Sequence, residues 1–227
     1  MFATNTTTGS QGPWVTWSSN GSAMKGFAPK SWVLRYKDEQ GNSHEDPIDG
    51  LAAPVVFDLD SLKLGWEKDG AKGMAPERVY SSHYSVSMPR PDESKKQTGG
   101  YAWTNALQVR LGFAAPQAGG NRVATWEQGS FGAYEGFVRL SKLIEQQFPN
   151  DHTLPVIQMT SVERIDLKSG ATHVPIFSIL RWVARPDFMK DAPAPIATNT
   201  APAPVPQPAP APQPAPAMAH IDDDIPF

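Results

Sequence analysis

The chain of 227 residues contains no cysteine. That excludes a disulfide framework, a thiolate zinc site and a cysteine nucleophile, and it is compatible with a reducing compartment. No apolar run approaches the roughly 18 to 20 residues that would span a bilayer. The opening stretch, MFATNTTTGSQG, lacks the basic and apolar regions of a secretory signal. The expectation is a cytoplasmic protein with no membrane role. Catalytic signatures are missing as well: there is no GxxxxGK[ST] phosphate loop, no HExxH helix and no GxSxG elbow. His44, His83, His152, His173 and His220 are scattered without a close ligand pair. Neither a metal nor a cofactor is expected, and the chain does not read as an enzyme.

Basic and aromatic residues are missing from one end. Lys190 is the last of the 20 Lys and Arg, and of the Phe, Trp and Tyr residues only Phe227 follows it. The net charge of -3 therefore hides a division, because residues 1–190 carry 20 basic and 19 acidic groups while Asp191, Asp222, Asp223 and Asp224 make the remainder acidic. Residues 191–219 alternate Pro with Ala and offer almost no side chain able to build a core, so a disordered linker is expected. Proline's fixed φ favours extended polyproline II at about 3.1 Å per residue, which makes that linker a semi-rigid spacer. Residues 220–227 form a separate acidic tip. Residues 1–190 are long enough for one domain that buries roughly 70% of its unfolded surface.

Within this body, residues 31–38 (SWVLRYKD) alternate, with Trp32, Leu34 and Tyr36 on one face and Val33, Arg35 and Lys37 on the other. Residues 54–60 and 102–113 read as two more strands, the latter with Trp103, Leu107, Val109, Leu111 and Phe113 inward and Gln108 and Arg110 outward. The polar stretch 61–101 between them reads as a long insertion. At residues 132–148 the period changes to helical, with Ser130 as N-cap and Pro149 as stop. Residues 154–167 and 171–185 read as two strands joined by a turn at Lys168, Ser169 and Gly170. Three strands, a helix and two strands match an oligonucleotide/oligosaccharide-binding (OB) fold, a mainly β, five-stranded Greek-key barrel with its helix after strand three.

The ending Asp222, Asp223, Asp224, Ile225, Pro226, Phe227 concentrates acids and one large apolar group beyond the spacer. A shallow apolar pocket rimmed by Arg and Lys would accept the ring and a carboxylate together. This DDDIPF ending resembles the C-terminal tip of bacterial-type single-stranded DNA-binding proteins, which also follows a disordered linker. The resemblance covers the tip and the linker type, and the longer body is more like a divergent bacteriophage or mobile-element member. It implies sequence-independent binding and protection of single-stranded DNA in a bacterial cell or phage-infected host. It also implies recruitment of replication, recombination and repair proteins through the six tip residues. It leaves open whether the chain forms a homo-oligomer.

Holding a single strand requires cations along the phosphates and flat rings for the bases. The expected DNA-contacting set is Trp14, Trp17, Lys25, Lys30, Trp32, Arg35, Lys37, Trp66, Lys95, Lys96, Tyr101, Trp103, Arg110, Arg122 and Trp126. Trp32 and Trp103 fall on the apolar phase of their strands, the ordinary place for core packing, whereas Trp14, Trp17 and Trp66 lie in loop-like polar context. Arg181 and Arg185, beside Trp182, extend the set. Two other readings remain: a protein-binding adaptor of the replication machinery, and a metal-dependent nuclease using Asp58 and Asp60.

Overall fold

The computed structural model describes residues 12–22, 25–48, 50–70, 76–91, 103–149, 151–168 and 170–190. The expectations for Lys95, Lys96, Tyr101, the linker and the six tip residues lie outside the described residues. All the described residues belong to one compact unit. Its elements are β1 (Trp14–Ser18), β2 (Ser31–Lys37), β3 (Ser43–Ile48), β4 (Val55–Lys68), β5 (Glu77–Tyr80), β6 (Trp103–Phe113), β7 (Val123–Gln128), α1 (Phe131–Gln147), β8 (Leu154–Leu167), β9 (Gly170–Val183) and α2 (Asp187–Lys190).

The fold is mainly β, a curled open sheet that makes a half-barrel. Its strand order is β3-β2-β1-β7-β6-β4-β8-β9, with β5 added to β4. The five expected strands and the helix are present, but among the described residues there are nine strands where five were expected. The additions arise where local signals are short. Residues 14–18 alternate for only five positions, yet Val15 and Trp17 are buried and the segment pairs with β2. The stretch expected as a long insertion instead carries β4 on to Lys68 and then folds back as β5.

Two apolar clusters lie on opposite faces of the sheet. The larger packs Trp17, Trp32 and Trp126 with Phe57, Phe113 and Phe177 beneath α1. Trp32 stands 5.2 Å from both Trp17 and Trp126, edge-on to the latter. The smaller cluster, Val56, Leu154, Val156 and Met189, lies on the outer face under α2. Where β1 approaches β9 no ladder forms, but Trp17 Nε1 donates to the His173 carbonyl at 2.8 Å and the His173 amide donates to Ser19 Oγ at 2.7 Å. The Gln128 amide clamps the Trp17 backbone on both sides at 2.7 Å.

Helix α1 approaches β9 through glycines. A Cβ at Gly136 would lie 2.7 Å from the Pro175 carbonyl oxygen, and one at Gly132 would lie 2.5 Å from that of His173. Alanine favours a helix over glycine by about 1 kcal/mol, whereas overpacking costs about 1–3 kcal/mol. Backbone cannot swing aside as a side chain can, so the clash wins. Gly136→Ala is expected to lose about 1 kcal/mol net, read as a midpoint drop of about 2–4 °C in thermal melting; a raised midpoint would contradict this close packing.

The β2–β3 turn is tied by Asp38, whose carboxylate meets His44 Nε2 at 2.8 Å and accepts from the Asn42 backbone amide at 2.8 Å. The bonds to His44 and then Asn42 lower the Asp38 pKa to about 2, from a usual value near 3.8. A lowered folded pKa means that the turn's contribution is fully present above pH 3.8 and is lost as pH falls through about 2. An NMR titration should place the Asp38 carboxyl midpoint near 2; a midpoint near the usual value would show that the turn bonds do not persist in solution.

Candidate nucleic-acid interface

Burial removes four of the expected rings from the surface. Trp17, Trp32, Trp103 and Trp126 are 3%, 2%, 4% and 0% exposed, so none offers a face to a base. For Trp17 this corrects the loop-like reading, because the alternation of β1 turns it into the core while Trp14 stays half-buried on the opposite phase. Trp66 also lies in a strand. It shares the core-facing phase of Leu64, with its Nε1 donating to the Met88 carbonyl at 3.1 Å and the Arg90 guanidinium 4.7 Å over its ring. The Lys68 ammonium sits 5.6 Å over Trp103.

Strand register brings other expected residues together on the outer face. Glu45 pairs with Arg35, Arg35 with Trp14, Trp14 with Thr125, Thr125 with Arg110, and Arg110 with Asp58. This rung crosses β3, β2, β1, β7, β6 and β4, and at about 4.8 Å per strand spacing it spans roughly 24 Å. Lys37 shares the phase of Arg35 and is exposed, and Lys30 is an exposed turn residue before β2. Lys25 and Arg35 are both paired to Glu45, at 2.8 Å and 3.4 Å.

On the neighbouring rung Val123, Gly112, Val56, Val156 and Arg181 follow one another across β7, β6, β4, β8 and β9. Val56 and Val156 floor a cleft of about 300 Å³ whose walls include Arg122, Arg181, Val183 and Phe188. The Arg122 guanidinium lies 4.0 Å from the centroid of the Phe188 ring and donates to the Ala114 carbonyl at 2.8 Å. Arg181 is exposed. Neither forms an ion pair among the described residues.

Next to this cleft lies a charged knot. Arg185 donates to Asp58 Oδ1 at 2.6 Å, to Asp58 Oδ2 at 2.8 Å and to Asp60 Oδ2 at 2.7 Å. Asp58 is 1% exposed, and the guanidinium fork of Arg185 occupies both of its carboxylate oxygens. The bonds that Arg185 donates to Asp58, and then to Asp60, raise its pKa. Arg110 stands 3.8 Å from Asp58 and donates to the Met189 carbonyl at 2.7 Å, and burial lowers its pKa. The two carboxylates of the nuclease reading thus have their inward oxygens occupied by arginine. Among the described residues no group of three His, Asp or Glu is arranged to hold a metal ion.

Sequence reasoning missed Phe188 and Met189, because a four-residue helix has no period to detect. The expectation of an outward Arg110 holds for its strand phase, but α2 covers it in part. The exposed face carries five guanidinium groups (Arg35, Arg110, Arg122, Arg181 and Arg185) against the carboxylates of Glu45, Asp58 and Asp60. Among the described residues it also carries two half-buried rings, Trp14 on the rung and Phe188 in the cleft wall. No family model matches the chain, and neither a curated protein nor a solved structure matches it, so its function has to be read from this face.

Proposed function

We propose that the chain binds single-stranded DNA without regard to sequence, along the outer face of β1, β2, β6 and β7 and across the valine-floored cleft. The observation that carries this reading is the alignment of Trp14, Arg35 and Arg110 on one rung with Arg122 and Arg181 beside it. Guanidinium groups suit the phosphates, and the half-buried indole of Trp14, set between Arg35 and Thr125, suits a stacked base. The connectivity supports an OB fold counted one strand later than expected. Strands β4, β6 and β7 form an antiparallel meander, α1 follows, β8 returns to pair with β4, and β9 pairs with β8. In that fold the face of the second and third strands binds oligonucleotides, and here those strands carry Arg110 and Thr125. Strands β1 to β3 would then be an addition that takes the edge of β7.

The reading is of a non-enzymatic protein. Through Asp222, Asp223, Asp224, Ile225, Pro226 and Phe227 it would recruit replication, recombination and repair proteins to the strand it covers. Fluorescence anisotropy of labelled oligo(dT) with the full chain tests the first half. Saturable binding whose log affinity falls with log salt, by about 0.7 for each phosphate neutralised, is expected. Absence of binding at low salt would leave the protein-adaptor reading in its place.

A further inference from the structure

One cluster of rings belongs to neither the core nor the guanidinium face. Between the segment after β5 and the loop joining α1 to β8 lies a cleft of about 180 Å³ lined by Asp60, His83, Tyr84, Phe148, His152 and Thr153. Tyr84 and Phe148 are 45% and 42% exposed, an unfavourable placement for rings that touch nothing in use. Both rings are nevertheless held in place. Tyr84 packs on the His83 imidazole with centroids 4.2 Å apart, and Phe148 stands edge-on to Trp182 at 5.6 Å. His83 is fixed in turn, since its Nδ1 lies 2.8 Å from Ser85 Oγ and its carbonyl accepts from Ser81 Oγ at 2.8 Å. Asp60, which lines the same cleft, gives one oxygen to Arg185 at 2.7 Å, and its other oxygen has no partner among the described residues.

We propose that this cleft takes a single unstacked nucleobase of the bound strand, an inference that rests on the single-stranded DNA reading above. Two flat rings on separate segments supply stacking surface, the open Asp60 oxygen accepts from a base N–H, and Arg185 at the rim ties the cleft to the guanidinium face along which the phosphates run. The volume admits one heterocycle and excludes a helix or a strand. Pre-ordered rings lower the cost of capturing a mobile nucleotide.

The test uses the full chain and two labelled strands of equal length, oligo(dT) and an abasic strand with the same phosphates. The wild type should prefer oligo(dT). Tyr84→Ala with Phe148→Ala should weaken oligo(dT) binding about tenfold, leave abasic binding unchanged, and keep the salt dependence. Tyr84→Phe with Phe148→Tyr, which preserves both rings, should bind as the wild type does. A double alanine variant that keeps the full preference for bases would overturn the proposal while leaving single-strand binding intact. A wild type that binds neither strand would remove both readings.

Discussion

Arg185→Met is expected to destabilise the body by about 3–5 kcal/mol, the usual cost of leaving a buried charge without its partner. The effect is large because Asp58 is 1% exposed and takes two of its bonds from this one guanidinium, at 2.6 and 2.8 Å. Arg110, 3.8 Å away, can recover only part of the loss, since it is already committed to the Met189 carbonyl. Asp60 matters little here: its side chain is 79% exposed, and water replaces the lost partner. At about 2–4 °C per kcal/mol for a body of this size, the midpoint should fall by roughly 6–20 °C in a thermal melt. Replacing both partners, Asp58→Leu with Arg185→Met, should recover most of that fall, because apolar substitutes for a buried ion pair are often neutral. A single variant that melts like the wild type would show that Arg185 does not hold the knot.

Arg122→Glu with Arg181→Glu is expected to weaken oligo(dT) binding about a hundredfold at low salt while leaving the fold intact. Arg181 is exposed, and Arg122 makes a single carbonyl bond besides its contact with Phe188, so neither anchors the core. A hydrogen bond to a charged group contributes about 1.5–3 kcal/mol, and losing two of the weaker kind gives about 3 kcal/mol, or two powers of ten. The slope of log affinity against log salt should drop by about 1.4, corresponding to two phosphates. Lys142→Glu with Lys168→Glu changes the net charge equally but alters α1 and the β8–β9 turn, away from the outer face. That control should change affinity little. Equal loss in the two double variants would mean that total charge, not the arginine face, governs binding.

The sequence was legible where a pattern is long and local. Trp103, Leu107, Val109, Leu111 and Phe113 alternate over eleven residues of β6 and are buried as their phase requires. Residues 131–147 repeat at helical spacing and form α1, although the hydroxyl of Ser130 accepts from Gln128 instead of capping the helix. What could not be read depends on neighbours distant in the chain. Arg35, Trp14 and Arg110 meet because β1 pairs in parallel with β7, a contact between segments about a hundred residues apart. Asp58 and Arg185 are separated by 127 positions, and each alone looks solvated. Trp17 sits among Ser, Thr and Gly, where composition suggests a loop, and only its pairing with Trp32 makes it core. Of the expected residues, strand register thus gathers Trp14, Arg35 and Arg110 on one rung, while Trp17, Trp32, Trp103 and Trp126 go to the core.

The most direct measurement is a cross-linking map, made by irradiating the full chain with an oligo(dT) strand that carries a photoreactive halogenated uracil in low-salt buffer. Adducts should fall on Trp14 and on peptides flanking Arg122 and Arg181, with Tyr84 or Phe148 marked by the captured base. Adducts confined to α1 or to the tip of the β8–β9 hairpin, or none at all, would contradict the assignment of this face to single-stranded DNA.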